Sequence, residues 1–205
     1  MPELHVETYA SRETASAVAA RDVVLQDGTH LRLRRPTSED YEDIKSFYEE
    51  LSQESRYGRF NGFVRTDLPA RLDAEADGDD RVALTAWRPG RVIAVGSYAR
   101  LREPRVAEVA FAVADDFQGR GVATQILERL TEIAVERGVD RFVAQVEASN
   151  TAMRRVFDRA GFSVRDAAAG ELLVSLDIPA TDTTPVAPLR SVLAHAPAAV
   201  VPAAA

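Results

Sequence analysis

The chain has 205 residues, 46% of them hydrophobic, and a net charge of −7, enough for one well-packed domain with a tail. With no cysteine it has no disulfide, thiolate nucleophile or cysteine-based metal site, and His5, His30 and His195 lie too far apart for ligand spacing, so no metal is expected. There is no dense Lys/Arg run for nucleic acid, no apolar run of roughly 18 residues for a membrane helix and no signal-peptide core, so a cytoplasmic protein is expected.

Residues 1–21 carry no strong pattern and are predicted to form a leader. "DVVLQDGTHLRLRRP" predicts two strands about the Asp27-Gly28 turn, stopped at Pro36. "TSEDYEDIKSFYEELSQES" predicts one helix capped by Thr37 or Ser38, with Glu39, Asp40 and Glu42 at its positive end. Tyr41, Ile44, Phe47, Tyr48 and Leu51 give it an apolar face. A short helix is expected within 66–76, and a turn at 77–80.

Three strands follow, "RVALTAWR", "RVIAVGSYARLRE" and "RVAEVAFAVA", separated by turn signals and predicting an antiparallel meander. After Gln118 comes a helix with Val122, Ile126, Leu127, Leu130, Ile133 and Ala134 on one side, ended by Gly138. "RFVAQVEA" predicts a strand, "NTAMRRVFDRAG" a helix closed by Gly161, and "FSVRDAAAGELLVSLDI" a last pair of strands. Residues 179–205 hold five of the ten prolines and much Ala and Val, which predicts a disordered or loosely held tail. Within it, "PLRSVLAH" is a candidate short helix that packs on the domain.

The stretch "QGRGVA" places Gly119 and Gly121 where a helix is about to start. Two readings stand. One is an ordinary strand-to-helix turn. The other is an anion cradle, because helix N-termini present unpaired N–H groups and a positive dipole end. A dinucleotide fingerprint would need a third glycine inside a parallel βαβ unit, and a P-loop would need Gly-Lys-Ser/Thr; both are absent.

"FQGRGVA" (117–123) resembles the pyrophosphate loop of the GNAT family of N-acetyltransferases. "EASNTAMRRVFDRAGF" (147–162) resembles that family's second signature, and the order of elements matches over about residues 22–178. The resemblance implies an acyl-CoA N-acyltransferase domain over 22–178: an α/β (α+β) fold with a mixed, mostly antiparallel central sheet flanked by helices. "LSQESRYGRF" (51–60) and "AEVAFAVADDFQGRG" (107–121) further resemble bacterial protein lysine acetyltransferases that modify acyl-CoA synthetases. Some of those proteins carry a cyclic-nucleotide-binding or other regulatory domain; none is expected within these residues.

The resemblance implies acetyl-CoA as co-substrate. It places the pantetheine arm along Phe111, Ala112 and Val113, and the pyrophosphate on the amides of Gln118, Gly119, Arg120, Gly121, Val122 and Ala123. Glu108 becomes the candidate general base for a lysine that arrives protonated, with a pKa of about 10.4. That role asks for burial to raise the carboxylate's pKa. Its other reading is a solvent-facing strand acid or a partner for Arg100 or Arg102. Asn150 reads as a helix N-cap and, by resemblance, as a pantetheine contact. Many relatives have a tyrosine seven residues after this Asn to protonate the leaving thiolate; here Phe157 stands there. Tyr98 is a substitute acid only if it reaches the site, and otherwise a core or surface tyrosine. Tyr57, Arg59 and Phe60 line the acceptor side or form a structural cluster behind the first helix; Trp87 and Phe63 are expected to pack.

Without cysteine, direct transfer in a ternary complex is expected. The leading function is acetylation of a protein lysine, with an acyl-CoA synthetase as a candidate partner. The alternatives are a small-molecule amine N-acetyltransferase and a non-catalytic acyl-CoA-sensing module. The tail is a candidate lid over the acceptor cleft.

Overall fold

In chain order the strands are β1 (Arg21–Val24), β2 (His30–Arg34), β3 (Arg81–Arg88), β4 (Arg91–Arg100), β5 (Val106–Val113), β6 (Arg141–Glu147), β7 (Ser163–Ala168) and β8 (Glu171–Asp177). The helices are α1 (Tyr41–Glu50), α2 (Gln53–Phe60), α3 (Asp67–Ala74), α4 (Val122–Glu136) and α5 (Thr151–Ala160). This computed structural model describes residues 20–60, 66–76, 78 and 80–179. The predicted leader up to residue 19, Phe63, and the tail from residue 180 with its candidate helix and lid lie outside the described residues. Arg21, assigned to the leader by sequence, is the first residue of β1.

The strands form one sheet in the order β1-β2-β3-β4-β5-β6-β8-β7. Every neighbouring pair is antiparallel except β5 and β6. The β3-β4-β5 meander is as its turn signals predict.

One pairing departs from completeness and makes the site. The parallel ladder of β5 and β6 runs only from Val106 opposite Arg141 to Glu108 opposite Val143. Beyond Glu108 the two strands part. On its other edge β5 stays paired with β4 as far as Val113. The β6-facing edge of Val109–Val113 therefore meets no strand among the described residues.

Helix α4 packs on β3, β4 and β5. Its predicted apolar side is buried in full: Val122, Ile126, Leu127, Leu130, Ile133 and Ala134. Burying each of the larger side chains contributes about 1.5–3 kcal/mol. The fit to β4 is close. A Cβ on Gly96 would lie 2.4 Å from Ile126 and 2.8 Å from Phe111, so only glycine lets helix and strand approach this far. Helices α1 and α2 pack on β4 and β5 respectively, on the face that carries Ser97.

The single helix predicted over 37–55 is two. A short 3-10 turn at Ser38–Asp40 leads into α1, Leu51 is extended (ψ 144°), and α2 starts at Gln53. The cause is Ser52. Its amide donates to Asp115 at 2.8 Å instead of continuing α1. Its hydroxyl accepts from the Ser55 amide at 3.2 Å and caps the new helix. A tertiary partner 63 residues away overrides the local periodicity.

Candidate active site

Where β5 and β6 part, a cleft of about 200 Å³ opens. Glu108, Ala110 and Phe111 from β5, Gln145 and Glu147 from β6, Glu171 from β8, and Met153 and Phe157 from α5 line it. Gly58, Arg59 and Phe60 of α2 form a further wall, with Ser97 and Arg81 behind. Strand alternation decides who faces the α2 wall: Glu108, Ala110, Ser97 and Ala99 share one side of the sheet.

Glu108 is exposed, not buried as its role as base was expected to require. Its exposure fits the other reading, a solvent-facing strand acid, and no ion pair joins it to Arg100 or Arg102 among the described residues. What the fold supplies beside Glu108 is Arg59, whose side chain is 9% exposed. Burial disfavours its charge, but Tyr48, Asp73 and Glu108 more than offset that and keep it cationic. Arg59 donates to Asp73 at 3.3 Å and to Ser97 at 3.2 Å, and its guanidinium lies 5.3 Å from the Phe60 ring centre. Asp73 is fully buried and also accepts from Tyr48 (2.6 Å) and Arg81 (2.8 Å). Burial first, then the neighbouring Asp73, pushes the Tyr48 hydroxyl far above the ordinary tyrosine range. Arg59 and Phe60 thus form the structural cluster that one reading expects, and they also line the cleft. Tyr57 is exposed and is not part of the lining.

At the far end of β5 the chain makes a 3-10 turn, Asp115–Phe117, and enters the glycine loop. Gly119 and Gly121 have φ of +74° and +89°, the left-handed region that glycine enters without steric cost. Gly121 is the N-cap of α4 and brings no side chain to cap it. The amides of the first turn, including Val122 and Ala123, are left for an external acceptor at the positive end of a 15-residue helix. A Cβ at either glycine would touch nothing within 4 Å, so the glycines are there for backbone direction and open approach.

The side chains of this region are otherwise engaged. Val122 and Ala123 are buried, as are Phe111 and Ala112, while Val113 is half-buried. Burial leaves chiefly the backbone of Ala112, Val122 and Ala123 for contact from outside. Arg120 pairs with Asp27 at 3.4 Å and lies over the Phe117 ring, so its charge is shared with the β1-β2 turn. Gln118 donates to Ser55, Asp115 and the Val113 carbonyl.

Asn150 caps α5: its side chain accepts from the Met153 amide at 3.0 Å. Its Nδ2 faces Gly58 of α2, where an added Cβ would sit 3.3 Å away. Phe157 is buried, with its ring tilted against Phe162 (4.7 Å between ring centres) and Phe111 (6.3 Å). Tyr98 projects to the opposite side of the sheet from Ser97, against Phe142 at 5.5 Å. It is 1% exposed, and burial raises its pKa. It is a core tyrosine and not a substitute acid for the cleft. Trp87 packs as expected, under Arg34 and bonded to the Thr85 hydroxyl.

The reading of the sequence did not single out Glu147, Glu171, Arg81 or Ser97 as cleft residues. Only strand register brings them there, and no local pattern announces it. Asp115, Ser52 and Ser55 fall in stretches quoted for the resemblance, but their bonds to one another come from the packing of α2 against the turn after β5. Among the described residues no helix is long and apolar enough to cross a membrane, and no group of His, Asp and Glu is arranged to hold a metal ion.

Comparison with known proteins agrees with this geometry. The profile of the acetyltransferase (GNAT) family matches residues 41–162. The chain is 33% identical over 184 residues to acetyltransferase Pat of Mycolicibacterium smegmatis, covering 87% of this chain and 55% of that protein. It therefore spans about half the length of that relative. An acetyltransferase of Pseudomonas aeruginosa is 31% identical over 162 residues, covering 75% of this chain and 87% of the other. The crystal structure of the GNAT domain of S. lividans PAT superposes with a TM-score of 0.73 at 37% identity, over 77% of this chain and 96% of that one. These matches establish that the chain belongs to the acetyltransferase (GNAT) family.

Proposed function

We infer that this protein moves an acetyl group from acetyl-CoA to the side-chain amine of a protein lysine, by direct transfer with Glu108 as general base. The observation that carries the reading is the place of Glu108. It is the last β5 residue paired with β6, at the point where the free edge of β5 begins. That edge offers backbone groups to an amide-bearing arm as an added strand would. The bare amides at the start of α4 suit its pyrophosphate. A thioester laid along this path reaches its end near Glu108.

The amine arrives as an ammonium ion and cannot attack until it loses a proton. Glu108 takes that proton, directly or through water, once the acceptor covers the carboxylate. The departing thiolate, with an unperturbed pKa of about 8.5, is a moderate leaving group, and Phe157 offers it no proton. Glu147 and Glu171 at the cleft rim favour a cationic acceptor, and similarity to Pat supports a protein as its carrier.

The test is Glu108→Gln in the full chain. Turnover should fall about 10²–10⁴-fold while acetyl-CoA affinity stays within twofold, about the wild-type value. Unchanged turnover would remove Glu108 from this role. A parallel assay of an acyl-CoA synthetase against free amines separates the acceptors; activity on free amines alone would replace the protein-lysine reading.

A further inference from the structure

A side-chain network that the transfer chemistry does not use ties α2 to the glycine loop. Asp115 is its centre. One carboxylate oxygen accepts from the Ser52 amide at 2.8 Å. The other accepts from the hydroxyls of Ser52 (3.0 Å) and Ser55 (2.5 Å) and from the Gln118 side-chain amide (3.1 Å). Gln118, the first residue of the loop, also donates to the Ser55 hydroxyl at 2.9 Å and to the Val113 carbonyl at 3.3 Å. Burial alone would raise the Asp115 pKa, but the bonds from Ser55 and Ser52 together hold it below the ordinary carboxylate range.

Helix α2 depends on such ties. It has eight residues, and only its C-terminal end is packed down, by the Arg59 side chain and by Phe60 against Tyr48, so neither length nor a continuous apolar face fixes it. Its anchors are Ser52 and Ser55 at one end and Arg59, bonded to Asp73 and Ser97, at the other. Between them the helix presents Gly58, Arg59 and Phe60 to the cleft, with Gly58 against Asn150.

We propose that Asp115 is a positioning residue that couples the two substrates: a pyrophosphate seated on residues 118–123 fixes Gln118, and through Ser55 and Asp115 fixes the α2 wall against which the acceptor amine is placed. The inference rests on reading that loop as the pyrophosphate site. Acetyl-CoA binding then tightens acceptor binding by a coupling carried in hydrogen bonds, without any contact between α2 and the pyrophosphate.

The experiment is amide hydrogen exchange on the full chain with and without acetyl-CoA, for wild type, Asp115→Asn and Ser55→Ala. In the wild type acetyl-CoA should slow exchange across both 118–123 and 53–60, the latter about tenfold. In the variants the protection of 118–123 should persist while that of 53–60 falls to less than about twofold. A merely structural role would speed α2 exchange equally with and without acetyl-CoA, and that result overturns the proposal. So does full ligand-dependent protection of α2 in both variants. Should Asp115→Asn not fold, Ser55→Ala alone decides. Absence of protection at 118–123 in the wild type would instead sink the loop reading itself.

Discussion

Glu147 and Glu171 sit directly opposite one another across β6 and β8, both half-buried at the rim of the cleft. Like charges in this relation are destabilising by roughly 0.2–1 kcal/mol. Glu171 is partly offset by Gln145, which donates to it at 2.8 Å. A cationic acceptor entering between them would relieve the rest. Glu171→Gln should therefore leave stability unchanged or raise it by up to about 1 kcal/mol, while raising KM for a lysine acceptor and sparing kcat. Urea unfolding and steady-state kinetics check the two halves separately. A lower KM would contradict the electrostatic role.

Gly121 carries the cleanest backbone prediction. Its φ of +89° is costly for any residue with a Cβ, yet the position is sterically open. Gly121→Ala should lose about 1–2 kcal/mol, and acetyl-CoA affinity should fall as the first amides of α4 turn away. Gly121→Glu adds a carboxylate at the proposed pyrophosphate site and should abolish binding while the domain stays folded. Calorimetric titration with acetyl-CoA measures both; retained affinity in Gly121→Glu would return "QGRGV" to an ordinary turn.

The elements legible in the sequence were those with local causes. Turn residues located β3 and β5 to within a residue, whereas the middle strand, expected to run to Glu103, ends at Arg100; periodicity located the buried side of α4. Asn150 was readable as a cap because capping is a three-residue event, completed by the Met153 amide. The motif resemblance supplied the glycine loop and Glu108. What local pattern could not supply was anything made by register or by distant partners. The break between α1 and α2 depends on Asp115. The arrival of Glu147 and Glu171 at the cleft depends on which strands neighbour which. The exposure of Glu108 depends on the parting of β5 and β6, which follows from the packing of whole elements and not from the residues beside it.

Asp73 tests how the α2 wall is held. It is fully buried, with Tyr48, Arg59 and Arg81 all donating to it. Removing the charge leaves two guanidinium groups without their counter-ion, and breaking a buried pair from one side costs about 3–5 kcal/mol. Asp73→Asn should approach that loss in chemical denaturation. Because Arg59 also lines the cleft, the surviving folded protein should show a weakened kcat with little change in acetyl-CoA affinity. A loss under about 1 kcal/mol would mean that water reaches the cluster and screens it.

The acid limb of stability offers the last test, through Asp40. Its carboxylate receives both Arg34 guanidinium nitrogens, at 2.6 and 2.7 Å, and the Thr37 amide at 2.7 Å. The Arg34 bonds are the main reason its pKa lies below the ordinary carboxylate value, with the Thr37 bond adding to them and burial opposing. A depressed carboxylate pKa in the folded state means that the ionised form is what the fold stabilises. The contribution is fully present above the unfolded pKa and is lost as pH falls through the lower, folded one. Asp40→Asn should thus be less stable than wild type near neutrality. The gap should close as pH is lowered from about 5 to about 2. Thermal or urea unfolding of both proteins across that range gives the difference directly. A gap that stays constant over the whole range would show that the Arg34 and Thr37 bonds stabilise through geometry alone and not through the charge on Asp40.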